Sequence, residues 1–231
     1  MPKDAAVCNR LNGPYVRKTA GLRPDAGLAP WSLPGRTPMT VLFTADTHFG
    51  HGGALGLYRR PFASVAAMDA ALIERWNRVV SPADDVYHLG DFAVRQKPER
   101  IEALLQALHG RKHLVTGNND GPAALEARGW CSVQPYLELD VDGVGLVLCH
   151  YALRTWRHMG KGALNLHGHS HGRLKPLARQ YDVGVDVWNY QPISLAMLAA
   201  TRGLFRRPAR ARGGDTEAVE CQHPGRLRDE S

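Results

Sequence analysis

From residue 38 to residue 201 the chain alternates between two hydrophobic patterns. Short apolar runs at 40–45, 85–89, 112–116, 132–139, 143–149, 164–167 and 181–185 each predict a strand. Between some of them, apolar side chains return every three or four positions: Met68, Leu72, Ile73, Trp76 and Val80 within 63–80, and Ile101, Leu104, Leu105 and Leu108 within 98–108. That spacing gathers one apolar stripe on each of two helices and predicts that both pack on a sheet. Gly110, just past the second stripe, predicts a left-handed cap that turns the chain into the next strand. Strands alternating with amphipathic helices specify an α/β layered domain. No internal repeat is present.

Outside that span the pattern disappears. Residues 1–38 and 203–231 carry Pro, Gly and Arg without apolar periodicity, and disorder is expected on both sides of a domain at 39–202. Met39 stands directly before the first strand, so the functional chain is expected to begin there. The formal charge of +7 divides into +4 over residues 1–37, +1 over 38–201 and +2 over 202–231. The core is therefore nearly neutral and demands no nucleic-acid partner, although the arginine-rich flanks would add salt-sensitive attraction to one. No apolar stretch approaches the roughly 18 residues of a membrane span, and the N-terminus lacks the apolar core of a signal peptide. A cytoplasmic protein without membrane contact is expected. Cys8, Cys131, Cys149 and Cys221 show no CxxC spacing, which argues against a disulfide framework. Nothing specifies an oligomeric state.

The chemistry lies in five short polar blocks, each beside an apolar run: Asp46-Thr47-His48, Gly90-Asp91, Gly117-Asn118-Asn119-Asp120, His150 and Gly168-His169-Ser170-His171. Together they supply carboxylate, amide and imidazole donors, a ligand set suited to divalent transition metals. Each block follows a predicted strand, and in layered α/β folds the loops at the carboxyl edge of a sheet converge on one crevice.

The order and spelling of these blocks resemble the calcineurin-like metallophosphoesterase family, over roughly residues 39–200. The segments Phe43–His51, Arg60-Pro61-Phe62 and Asp182–Asn189 are similar to a small bacterial branch of predicted phosphoesterases. The resemblance implies a four-layer αββα sandwich of two mixed β-sheets flanked by helices, with the metal site at the strand C-terminal ends. It implies two divalent transition-metal ions, manganese first, with iron, zinc, cobalt or nickel as alternatives. One would be held by Asp46, His48, Asp91 and His171, the other by Asp91, Asn118, His150 and His169. It further implies hydrolysis of a phosphate ester by a metal-bridging hydroxide; with no second domain or basic core surface evident to grip a polymer, a small phosphodiester or nucleotide-like compound is the expected substrate. The alternatives are a non-catalytic metal-binding scaffold of the same fold and a nuclease on nucleic-acid ends.

The chain departs from the family's pattern at Asn119, where a histidine that contacts the scissile phosphate is usual. An amide donates a hydrogen bond but delivers no proton at neutral pH. Either His51 or His88 supplies the proton, or the leaving group needs none, as a nucleoside phosphate would not. Asn119, Asp120 and His51 are therefore the expected catalytic residues, and Asn119, Arg60 and Tyr151 the expected substrate contacts. His88 and His113, inside apolar runs, are expected to be structural, and His109 to cap a helix.

Overall fold

The computed structural model describes residues 39–202, so the disorder expected for 1–38 and 203–231 lies outside the described residues. In chain order the elements are β1 (Val41–Thr44), α1 (Gly52–Leu57), α2 (Val65–Val79), β2 (Asp85–His88), α3 (Pro98–Ala107), β3 (Arg111–Val115), α4 (Pro122–Leu125), β4 (Trp130–Gln134), β5 (Tyr136–Val141), β6 (Val144–Cys149), β7 (Leu164–His167), β8 (Gln180–Asp182), β9 (Ile193–Ser194) and α5 (Leu195–Arg202). One sheet runs β4-β3-β2-β1-β9, parallel except for β9. The other runs β5-β6-β7-β8, parallel except for β5. The fold is thus two mixed sheets with flanking helices, as expected.

Helix α2 starts where the Ser64 hydroxyl accepts from Ala67 N, at 3.1 Å, satisfying one of the unpaired amides of the first turn. Its stripe of Met68, Leu72 and Trp76 meets Leu42, Val86 and Leu114 of the first sheet, together with Ile101, Leu104 and Leu105 of α3. The two helices are also joined at their C-terminal ends. Trp76 Nε1 donates to His109 O, Asn77 Nδ2 donates to Ala107 O, and the imidazole of His109 bonds Val80 O at 3.1 Å. His109 thus caps a helix as expected, but α2 rather than the one it follows. Gly110 adopts the expected left-handed backbone, with φ +83. A Cβ there would come within 3.0 Å of Asp84 O, so the turn into β3 requires glycine.

A second apolar cluster lies between the sheets, with Phe43, Tyr87, Leu89 and Val115 facing Leu146, Leu148, Leu164 and Leu166. On the outer face of the second sheet, Val147 packs under Trp156 and Ala163. That segment holds only a short 3-10 turn, Met159–Lys161, so irregular chain rather than an α-helix covers this face. Cys131 and Cys149 are not bridged. No helix among the described residues is long and apolar enough to cross a membrane.

Two expectations are corrected here, and four elements are added. The run at 132–139 is two strands, because the chain leaves β4 at Pro135 and enters the other sheet as β5. The strand expected at 181–185 ends at Asp182, and Gly184 makes only an isolated bridge to Ala45. Helices α1, α4 and α5 and the two-residue β9 were not predicted: α1 is Gly-Gly-Ala-Leu-Gly-Leu, a composition of low helix propensity.

Candidate metal centre

Four loops leave the carboxyl ends of β1, β2, β3 and β7 and are laced together before any ligand is considered. Asp46 N donates to Gly90 O and His48 N to Asp91 O, each at 3.0 Å, joining the loops after β1 and β2. The Asp120 carboxylate accepts from the backbone amides of Asp91, Phe92 and Gly117 at 2.8 to 2.9 Å, joining the loops after β2 and β3. His169 N donates to the Asp46 carboxylate at 2.9 Å, joining the first sheet to the second. A Cβ on Gly168 would sit 2.6 Å from the Ala45 side chain, so this approach of β7 to β1 requires glycine.

The lacing gathers the expected ligands. Acceptor atoms of Asp46, His48 and His171 lie within 4.8 Å of one another, and so do those of Asp46, Asp91 and His150. Asp91 stands between the histidines, with one oxygen 3.6 Å from His48 Nε2 and the other 3.6 Å from His150 Nε2. Asn118 Oδ1 faces His150 Nε2 at 3.0 Å. His169 stands at the open rim, exposed, its ring centroid 5.1 Å from that of His150 and outside the two tight groups. Five of the seven expected ligands hold a left-handed backbone: Asp46, His48, Asp91, His169 and His171, with φ between 47 and 64. For residues with a Cβ this conformation is strained, and such strain concentrates at functional sites.

Neighbouring groups aim the ring nitrogens. His150 Nδ1 donates to Leu89 O at 2.8 Å, which leaves the Nε2 lone pair facing Asp91 and Asn118. His171 Nδ1 lies 2.7 Å from Asp186 Oδ2, leaving its Nε2 for the cluster. Asp182 orders the same loop by accepting from Ser170 Oγ and Gly172 N. His48 is 0% exposed, yet neither ring nitrogen has a hydrogen-bond partner. Burial, then the charges of Arg60, His171 and His51, push its pKa down to about 2, so it is a neutral base. Burial, then the charges of Asp182, Asp91 and Asp186, hold the Asp46 carboxyl well above the usual range. Unpartnered neutral nitrogens beside crowded carboxylates fit a divalent cation, which would supply the partner for the first and relieve the repulsion of the second.

Two expected roles are corrected. Arg60 is buried, and its donors are spent on Asp46 O, Thr47 O, Met68 Sδ and both oxygens of Asp186. It positions the loop after β1 and the carboxylate behind His171, with no donor left for substrate. Asp120, expected to be catalytic, has both oxygens occupied by three backbone amides. Asn119 is exposed, and its Nδ2 donates to Asp91 Oδ2 at 2.6 Å. Tyr151 is 46% exposed at the rim, beside the rings of His150 and His169. His51 lies next to His48, with ring centroids 5.3 Å apart; burial, then the charges of Arg60 and Arg95, lower its pKa.

Tyr58 was not singled out in the sequence, yet its ring stacks on His171 at 3.5 Å between centroids. Nothing in its local sequence marks it, since the contact spans more than a hundred residues. His88 is the structural residue expected. Thr47 Oγ1 donates to Phe92 O, so His88 Nε2 donates to Thr47 Oγ1 and its Nδ1 stays bare among Trp76, Phe92 and Trp130.

Burial, then the charge of His150, lowers the His88 pKa from 6.5 to about 3, so the unfolded chain takes up its proton first. The stability it contributes is present above pH 6.5 and is lost as pH falls towards about 3. His88→Gln keeps an N–H for Thr47 and removes this titration. Its denaturation midpoint is expected to fall less between pH 7 and pH 5 than that of wild type, a difference of about 2 kcal/mol. Parallel curves for the two proteins would contradict the assignment.

The profile of the calcineurin-like phosphoesterase superfamily domain matches residues 39–188. The chain is 31% identical over 180 residues to the gene 66 protein of Mycobacterium phage D29, covering 64% of this chain and 89% of the phage protein. It is 28% identical over 166 residues to an uncharacterised protein of Methanocaldococcus jannaschii, covering 68% and 88%. Its fold resembles that of a protein of unknown function from Aquifex aeolicus, with a TM-score of 0.55 and 24% identity, covering 70% of this chain and 98% of that one. The profile's span takes in all of the loops just described and all the ligands gathered by them, and the chain belongs to the calcineurin-like phosphoesterase superfamily.

Proposed function

We propose that this protein is a two-metal phosphoesterase acting on a small phosphodiester or nucleotide-like substrate, with manganese the first candidate for its ions. The observation that carries the reading is His48, fully buried with both ring nitrogens unpartnered beside Asp46, Asp91 and His171. Asp46, His48, Asp91 and His171 would hold one ion, and Asp91, Asn118, His150 and His169 the other. Bound there, such ions supply Lewis acidity towards phosphate oxygens and a water that ionises near neutral pH. The chain's own part is to keep the imidazoles neutral and aimed, through Leu89 O and Asp186, and to hold Asp91 between the two ligand groups.

Asn119 favours a second reading, a metal-binding scaffold without turnover, because its amide is tied to Asp91 and delivers no proton. One experiment separates the two. Metal-stripped protein is reloaded with Mn²⁺ and assayed on bis-p-nitrophenyl phosphate and p-nitrophenyl phosphate, with bound metal counted. Turnover that requires metal at about two ions per chain supports the enzyme; stoichiometric binding without turnover supports the scaffold.

A related expectation concerns the missing acid. Asn119→His is expected to raise hydrolysis of phosphodiesters of simple alcohols by about 10²-fold, the lower end of the usual general-acid contribution. On bis-p-nitrophenyl phosphate, whose leaving group needs no proton, it should change little. Equal gains on both would mean that the substitution acts on binding instead.

A further inference from the structure

Beside the metal centre lies a cleft of about 410 Å³, walled by Arg95, Gln96, Asn118, Asn119 and Asp120, with Ile101 and Ala124 also lining it. Asn118 belongs to the expected ligand set, so the cleft opens from the point where a scissile phosphate would sit. None of its walls has a proton to give. Arginine does not deprotonate, the amides are not acids, and the Asp120 oxygens are taken by three backbone amides. The cleft does offer positive charge. Arg95 is exposed, makes no hydrogen bond or ion pair among the described residues, and sits close enough for its charge to be felt at His51. Its backbone is left-handed, φ +54, and is pinned on its N-terminal side by Val94 N donating to Phe49 O and by Gln96 Nε2 donating to Val94 O. A planar fork of donors is thus presented, without a carboxylate partner, on a strained but fastened loop. Arginine in that state is suited to a phosphate group.

Resting on the phosphoesterase reading of the metal centre, we propose that Arg95 receives the leaving group and that this group is itself a phosphate, so that the substrate is a phosphoanhydride rather than an ester of an alcohol. In the hydrolysis, the oxygen of one water joins the attacked phosphorus and the bond from that phosphorus to the bridging oxygen breaks. The bridging oxygen leaves with the electron pair as part of a phosphate monoester, and the water's protons pass to solvent. A phosphate monoester has a second pKa of about 6 and departs at neutral pH without a proton. An alcohol, which holds its proton about as tightly as water does, would not. The absence of histidine at position 119 and the presence of a free arginine at position 95 then have one explanation.

The test uses the metal-loaded full chain with diadenosine diphosphate as anhydride and bis-p-nitrophenyl phosphate as ester. Arg95→Ala is expected to lower kcat/KM for the anhydride about 30-fold, and at least tenfold more than for the ester, with Arg95→Lys recovering part of the loss. Calorimetry should show AMP, the leaving product, binding about tenfold more weakly to Arg95→Ala. Cleavage of the ester without cleavage of the anhydride, equal losses on both, or unchanged AMP affinity would overturn the proposal and leave the phosphoesterase reading standing. If the loaded wild type cleaves neither compound, both readings fall.

Discussion

Asp91→Asn is expected to reduce metal-dependent hydrolysis of bis-p-nitrophenyl phosphate on the order of 10³-fold, while the metal-stripped variant unfolds no earlier than wild type. Asp91 stands between the two histidines, 3.6 Å from His48 Nε2 on one side and from His150 Nε2 on the other, and shares one ligand group with Asp46. Neutralising it removes the charge that two cations would share. It also removes one source of the repulsion that raises the Asp46 pKa, and asparagine tolerates the left-handed backbone at this position better than aspartate does. The two effects act on different quantities, so both should be measured: kcat with Mn²⁺, and the melting temperature with and without it. In wild type Mn²⁺ should raise the melting temperature, and in Asp91→Asn that rise should largely vanish. A variant that keeps its activity, or that melts well below stripped wild type, would show Asp91 to be structural.

The second large effect is expected from Arg60→Ala, a residue whose sequence position suggested substrate contact. Removing a side chain that bonds two backbone carbonyls and pairs with both oxygens of Asp186 leaves a largely buried carboxylate with His171 as its remaining ion-pair partner. Breaking a buried pair from one side costs about 3–5 kcal/mol, which at this chain length lowers the melting temperature by roughly 10 °C. Asp186 in turn orients His171, so metal affinity should fall about 10- to 100-fold. Arg60→Lys should repair little, since one ammonium carries three donors where five are in use. A substrate-binding arginine would behave differently: KM would rise while thermal stability and metal affinity stayed put.

How far the site could be read in the sequence depended on where each contact sits along the chain. Asp46, His48, Asp91, His150 and the Gly168–His171 block announce themselves because short motifs after predicted strands carry their own geometry, and the topology brings them together. Arg60 and Asp120 misled because their partners are remote or are backbone: Asp186 lies 126 positions from Arg60, and the amides that occupy Asp120 have no sequence signature. Tyr58 was hidden for the same reason. In the fold, the long helices with clear stripes were legible to within two residues. The division of 132–139 was signalled by Pro135, which cannot donate to a ladder, but the apolar run on both sides concealed it. Helix α1 had no stripe and three glycines, so only tertiary contacts could define it.

The left-handed ligand residues carry a consequence for how this chain can change. Each such residue costs roughly 1 kcal/mol or more, so five of them cost on the order of 5 kcal/mol, comparable with the whole stability margin of a marginal domain. Glycine at Asp46, His48, Asp91, His169 or His171 would relax the backbone and erase an expected metal ligand in the same step. Drift unopposed by selection would therefore run downhill towards a more stable and inert protein, one residue at a time. Thermostabilising substitutions therefore belong on the exposed faces of α2 and α3 instead.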